Sequence, residues 1–284
     1  MKKRSYSKNT LTVLALLALT ACGGSSDGDS SDSDNAGPAV DPAADPAPDN
    51  GESVALVPGD CPLIGNLQSL ELATNECQIS GVLTESATLT ADRTWFLEGA
   101  LQIGSAETAA TLDIEGGTQI RGDNQDVTDY VLVYPGSSLN ANGTGANPVH
   151  FLSDDDNVDG SGEWGGVFLR GFNGLSAEGT QGSNRLDYVV VAEAGAAVEV
   201  TIDAQTVTYS DNLVLNGVDN TTTLTFVQSH NSARDGLHIL NGDPRLSWIL
   251  ATGSARDGIW YRDCLLYTSP SPRDRQKSRM PSSA

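Results

Sequence analysis

An acidic segment at positions 154–163 offers the clearest chemistry in the sequence. Oxygen-bearing side chains stand there at alternate positions and are followed by Gly160, which matches the opening of a calcium-binding loop. The twelfth position of such a loop would be Gly166, so the usual bidentate glutamate is missing. Glu163, which comes three residues earlier, would have to substitute for it. The pattern predicts either an acidic solvated loop or a Ca²⁺ site, whose ligands would be Asp155, Asn157, Asp159 and Glu163.

Two arginines stand at repeated positions, each directly before an aspartate. Arg234 precedes Asp235 and Arg256 precedes Asp257. Arginines stacked on neighbouring turns of a fold could contact a carboxylated glycan, or they could pair with the aspartates and stabilise turns. His230 and His238 lack the spacing of a zinc site or a nucleophile triad, and we expect them to be surface or turn residues. We assign no catalytic residue.

Internal repeats define the elements that must position these residues. The segment 232–237 recurs at 254–259, and 224–227 recurs at 246–249, both with a shift of 22 residues. A third copy at 186–189 lies 38 residues upstream, which indicates an insertion in one coil. A shift of 19 residues relates an earlier pair of triplets, which are Ile114, Gly117 and Ile120 with Val133, Gly136 and Leu139.

A period near 20 residues, with short apolar runs separated by Gly, Asn and Asp, predicts an all-β parallel β-helix. The main alternative is a β-sandwich, which has the same strand-and-turn composition but does not require a fixed repeat of strand and turn. Aromatic residues also repeat in register, at Tyr188, Phe226 and Trp248. We expect them to form a stack in the core rather than a platform for sugars.

The N-terminus indicates export. Four basic residues precede a short apolar run at 11–19, which is too short to span a bilayer. The run ends in Leu19-Thr20-Ala21-Cys22, which resembles a bacterial lipobox. The resemblance implies cleavage of a signal peptide at 1–21 and acylation of Cys22, and Gly23 in place of Asp favours the outer membrane. Residues 22–53 are rich in Asp, Pro, Ser and Gly and predict a disordered acidic tether.

The C-terminal residues 264–284 differ abruptly from the rest. The string from Cys264 to Asp274 resembles a translation of the transposase adapter used in short-read library preparation. We therefore expect this tail to be non-native and the natural chain to be truncated after Asp263. With Cys22 lipidated and Cys264 excluded, Cys61 and Cys77 remain, and in an exported chain we expect them to form a disulfide within an N-terminal cap at 54–93.

Charge narrows the choice of partners. The formal net charge is −21, to which positions 1–21 contribute +4 and the tail +3, so residues 22–263 carry −28. A field of that sign excludes nucleic acid as a partner. The expected partners are the membrane, through the lipid anchor, and an extracellular glycan or envelope protein.

Several segments resemble lipid-anchored β-helix proteins of marine Gram-negative bacteria. They are Trp95–Gly99, Leu112–Thr118, Asn147–Phe151 and Glu163–Val167. The resemblance implies a right-handed, pectin-lyase-like β-helix at the cell envelope, covering 94–263, and no established reaction. We therefore expect a non-enzymatic outer-membrane or cell-surface lipoprotein that serves adhesion, glycan contact or envelope structure. The alternative is a polysaccharide lyase or glycoside hydrolase whose site lies partly in the missing C-terminal region.

Overall fold

The structure is a computed structural model that describes residues 61–123, 128–155, 157–175 and 178–262. The predicted signal peptide, Cys22, the tether and the tail at 264–284 lie outside these residues. Every regular element in the described part of the chain is a β-strand. Among the same residues, no helix is long and apolar enough to cross a membrane.

Eighteen strands follow one another in the part of the chain that the structure describes. They are β1 Leu70–Ala73, β2 Glu76–Leu83, β3 Ala87–Leu89, β4 Thr94–Ile103, β5 Thr111–Glu115, β6 Gln119–Gly122, β7 Tyr130–Val133, β8 Ser138–Asn142, β9 Val149–Ser153, β10 Gly166–Arg170, β11 Arg185–Ala192, β12 Val198–Ile202, β13 Gln205–Tyr209, β14 Leu213–Asn216, β15 Thr223–His230, β16 Leu237–Leu240, β17 Arg245–Thr252 and β18 Ile259–Arg262.

Fifteen of these strands form three faces, each built of parallel strands, which the chain visits in turn. Face I holds the first halves of β2 and β4, then β6, β9 and the second halves of β11, β15 and β17. Face II holds the second halves of β2 and β4, then β7, β10, β14, β16 and β18. Face III holds β3, β5, β8 and the first halves of β11, β15 and β17. Parallel pairing between successive coils confirms the β-helix and excludes a β-sandwich.

The core consists of side chains that stack in rows along the solenoid. On face II the register aligns one inward row, whose members are almost fully buried: Leu101, Val131, Val167, Leu213 and Leu237. Successive residues of a strand point to opposite faces, so every second residue enters the core. The apolar side chains of one coil are buried only when the next coil stacks on them, so the stability of the solenoid depends on contacts between neighbouring coils.

The register confirms two of the sequence repeats. Leu224 pairs with Leu246, as the shorter shift predicts, and Leu186 pairs with Leu224, as the longer shift predicts. The extra residues of the longer coil include an antiparallel hairpin of β12 and β13, inserted between β11 and β14. This hairpin packs on the outer side of face II. There the ring centroids of Tyr209 and Phe168 are 4.8 Å apart.

The predicted 19-residue repeat is wrong, because its two copies do not occupy equivalent positions in the coil. Ile114 lies on face III and Val133 on face II, so they are not equivalent, and Leu139 pairs with Leu112 instead. Both copies contain a glycine with left-handed backbone, Gly117 at φ 95° and Gly136 at φ 87°. Similar glycine turns at two different corners of the coil therefore produced an apparent repeat.

The described N-terminal residues cover the first coil. β1 pairs antiparallel with β2, and Ile64 and Leu67 are buried in the main core. Cys61 and Cys77 form a disulfide with a Cα–Cα distance of 5.8 Å. This bridge ties the segment before β1 to the first strand of face I.

Candidate functional site

The described residues of the acidic segment form a loop between β9 on face I and β10 on face II. Its end is held against the chain that follows β11 by two backbone hydrogen bonds. Gly162 donates its N–H to the Ala194 carbonyl at 3.0 Å, and Glu163 donates to the Glu193 carbonyl at 2.9 Å. The loop therefore leaves one coil and packs on the next, which brings together residues that are distant in sequence.

Three carboxylates meet where this loop contacts the next coil. Asp155, Glu163 and Glu193 each offer an oxygen, and these oxygens all lie within 4.8 Å of one another. Two of the four residues predicted for calcium belong to this group. Asp159 is not part of this group of carboxylates, and both Asp159 and Asn157 are exposed. The predicted calcium site remains a prediction, with a ligand set that differs from the linear motif.

Glu193 is the member of the group that the sequence analysis missed. It directly follows β11 and has left-handed backbone, with φ 65°. The residues that follow the aligned strands β15 and β17 are Asn231 and Gly253, also left-handed. Asn and Gly tolerate this conformation, whereas other residues lose about 1–2 kcal/mol in it. A glutamate where the aligned positions hold Asn and Gly is the sequence signal that could have identified the site, and the structure buries this residue to 1% exposure.

The electrostatics of the group follow from burial and mutual repulsion. Burial is the main cause that raises the pKa of Glu193 to about 7, and the negative charges of Asp155 and Glu163 add to it. The Gly160 N–H, which donates to Glu193 Oε1 at 3.3 Å, opposes this shift. Burial also raises the pKa of Glu163, helped by the charges of Asp155 and Asp159. Crowded carboxylates of this kind hold either protons or a cation.

In calcium-free buffer, the unfolding free energy should fall as the pH rises from about 4.5 to about 7 because of Glu193. The pKa of Glu193 is higher in the folded state, so the folded state binds its proton more tightly. This stabilisation is complete below the unfolded pKa and is lost as the pH passes the folded value. We expect a loss on the order of 1–3 kcal/mol in chemical denaturation, relative to Glu193→Gln. Parallel pH profiles for the two proteins would contradict this assignment.

The repeated arginines do stack on successive coils, because the Arg256 N–H donates to the Arg234 carbonyl at 2.8 Å. Arg256 Nε donates to Oδ1 of the buried Asp235 at 2.8 Å, and its Nη2 contacts the other oxygen of that carboxylate. Arg234 Nη1 donates to Ser210 Oγ at 3.3 Å. This geometry favours the turn-stabilising interpretation over glycan contact, since the guanidinium of Arg256 already has a carboxylate partner.

The expectation for His238 is wrong, because this side chain is buried on β16. Its Nδ1 lies 2.8 Å from Asp211 Oδ2, and its ring packs 4.2 Å from that of Trp260. Asp211, Asp235 and His238 form a second group with the composition of a metal site. The guanidinium of Arg256 already neutralises Asp235, so this group disfavours a cation. His230 is partly exposed, and its Nδ1 lies 2.8 Å from Thr252 Oγ1.

The repeated aromatic residues lie outside the core, which corrects the predicted core stack. Phe226 is 40% exposed and Trp248 is 74% exposed. The ring of Tyr188 stacks on that of Phe226 at 4.5 Å and 17°, and Phe226 stacks on Trp248 at 5.7 Å and 7°. We call these three residues the outer aromatic stack.

Left-handed backbone explains why these rings point outward. The φ values are 49° for Tyr188, 56° for Phe226 and 57° for Trp248. Each residue lies at the corner between face III and face I and has no partner in the pairing of neighbouring strands. The alternation of inward and outward side chains is therefore interrupted there. Leu224 and Val227 therefore both enter the core, and the ring between them does not. Bulky residues in this conformation are true outliers, and outliers of this kind are concentrated at functional sites.

Comparison with known proteins gives one family. A family model described as a pectate-lyase like beta helix domain matches residues 81–266. No curated protein and no solved structure matches the chain. The matched range includes the carboxylate group, the arginine stack and the outer aromatic stack.

Proposed function

We propose that this chain, which belongs to the pectate-lyase-like β-helix family, is a lipid-anchored envelope protein. Its β-helical body binds an extracellular glycan without cleaving it. The lipobox-like sequence at Cys22 supports attachment to the outer membrane, with the acidic tether at 22–53 as a spacer. Fatty-acid labelling of the wild-type protein beside Cys22→Ser tests the anchor, and equal labelling of both would exclude it.

The outer aromatic stack is the observation that carries the glycan-binding proposal. Its rings follow one another at about the spacing of the coils, so they form a continuous apolar strip along the solenoid. Exposed aromatic groups at fixed positions mark contact surfaces, because they supply a large rigid area with little loss of side-chain entropy. Pyranose rings have a flat C–H face that can pack on such rings.

Polar groups beside the stack fit the hydroxyls of a sugar chain. Thr225 and Ser247 precede the rings of Phe226 and Trp248 on face III, at partly or fully exposed positions. Asp187 accepts a hydrogen bond from Arg185 Nε at 2.6 Å beside Tyr188. Because the chain is strongly acidic, the best occupant of this surface is an uncharged polysaccharide, since an anionic one would be repelled.

Replacing Trp248 by alanine should weaken binding to a neutral polysaccharide by about tenfold, because one stacking platform is lost. Binding of the full-length protein to a panel of neutral and acidic polysaccharides, measured by affinity electrophoresis, checks this. Leu70→Ala, which removes an exposed apolar side chain from β1, is the matched control and should leave binding unchanged.

The same panel separates the alternative enzymatic function. Release of unsaturated uronates, seen as ultraviolet absorbance, or of reducing ends would contradict non-catalytic binding. Equal affinities of wild type and Trp248→Ala would place the glycan elsewhere on the β-helix.

A further inference from the structure

We propose that Asp155, Glu163 and Glu193, together with the hydroxyl of Ser153, bind a calcium ion that fastens the 154–165 loop to the following coil. Calcium binding at this site does not depend on glycan binding. It replaces the linear loop motif with a site that two coils build together.

Buried oxygens without partners distinguish this group from a solvated acidic patch. Glu163 Oε2 is buried and has no hydrogen-bond partner among the described residues. Ser153 ends β9 and its side chain is 1% exposed. Its hydroxyl lies close enough to the Glu163 carboxyl to lower the pKa of that group, but it makes no hydrogen bond of normal geometry within the described part of the chain. Leaving a buried polar group unsatisfied costs about 1–3 kcal/mol. A cation between these oxygens would satisfy both.

Among the residues that the structure describes, no basic side chain neutralises the three carboxylates. In the described ranges, no ion pair joins Asp155, Glu163 or Glu193 to a basic side chain. Arg121 Nη1 donates to the main-chain carbonyl of Asp155 at 3.0 Å and not to a carboxylate. Buried carboxylates without a basic partner hold either protons or a metal ion, and the unsatisfied oxygens of Glu163 and Ser153 favour the metal ion here.

The chemistry of the ligands favours calcium. All four groups are oxygen donors, and the group includes no nitrogen or sulfur that would select zinc or copper. A loop can adapt to the irregular coordination of six to eight oxygens that Ca²⁺ accepts, whereas Mg²⁺ requires a near-ideal octahedron. Gly160 keeps the approach open, because a side chain at this position would collide with the Glu163 carboxylate.

Terbium luminescence on the full-length protein tests the site directly, since Tb³⁺ replaces Ca²⁺ and the adjacent Trp164 can sensitise its emission. We expect tryptophan-excited emission that millimolar Ca²⁺ displaces and Mg²⁺ does not. We also expect a Ca²⁺ dissociation constant on the order of 10⁻⁴–10⁻³ M, as in other extracellular modules. Absence of Ca²⁺ binding up to about 10 mM would overturn the proposal.

Variants separate the two ligand sets. Glu193→Gln and Glu163→Gln should each weaken Ca²⁺ binding by about tenfold or more, whereas Asp159→Asn should change it by less than about threefold. If Asp159→Asn is as harmful as Glu193→Gln, the linear motif binds the ion and the three-carboxylate site is wrong. Thermal melting in chelator controls for folding. Glu193→Gln should melt no lower than wild type there and should lose the Ca²⁺-induced rise in Tm.

Discussion

Replacing Trp164 by alanine is expected to lower the free energy of unfolding by about 3–5 kcal/mol, the usual cost of removing a large buried aromatic side chain. Trp164 is 0% exposed, and its indole Nε1 donates to the Ala192 carbonyl at 2.9 Å. It packs on Gly122 so closely that a Cβ at that position would lie 2.7 Å from Trp164 Cβ. The side chain thus joins the acidic loop to β6 and β11, which belong to different coils.

Urea denaturation of three variants measures this effect. Trp164→Phe keeps most of the volume and loses the hydrogen bond, so we expect a smaller loss of about 1–2 kcal/mol. Trp248→Ala removes an exposed ring and should cost less than about 1 kcal/mol. If Trp164→Ala is no more destabilising than Trp248→Ala, the contacts of Trp164 with Gly122 and Ala192 do not stabilise the packing of the coils.

Reduction of the Cys61–Cys77 bridge is expected to lower the free energy of unfolding by about 3 kcal/mol, because it releases a short loop in the unfolded chain. The two cysteines are 16 residues apart, and Cys77 lies in the core of the first coil. The segment that the bridge holds contributes Ile64 and Leu67 to that core. Its release would therefore uncover the end of the solenoid as well.

Denaturation with and without a thiol reductant checks this prediction. Cys61→Ala should resemble the reduced wild-type protein and should not respond to reductant. The same denaturation midpoint for oxidised and reduced wild type would show that the bridge does not stabilise the cap.

Much of the architecture follows from the sequence, since a solenoid repeats its contacts at a fixed distance along the chain. The shorter repeat shift, which relates Leu224 to Leu246, is the register of two neighbouring strands. The longer shift correctly indicates an insertion, which is the β12–β13 hairpin. The same reasoning failed for Ile114 and Val133, because strands of different faces share the alternation of buried and exposed residues and the same glycine turns.

The candidate sites depended more on tertiary structure. A linear motif found Asp155 and Glu163, but Glu193 follows β11 on the next coil and meets Glu163 only because the loop packs there. Because Tyr188, Phe226 and Trp248 repeat in register, they were expected to stack in the core, whereas left-handed backbone at the corner turns them outward. The sequence by itself determined the repeat and the strand composition, because these depend on local periodicity. Only the tertiary structure decided which side chains share a site, because contacts between coils depend on loop packing and on the backbone conformation at single corner residues.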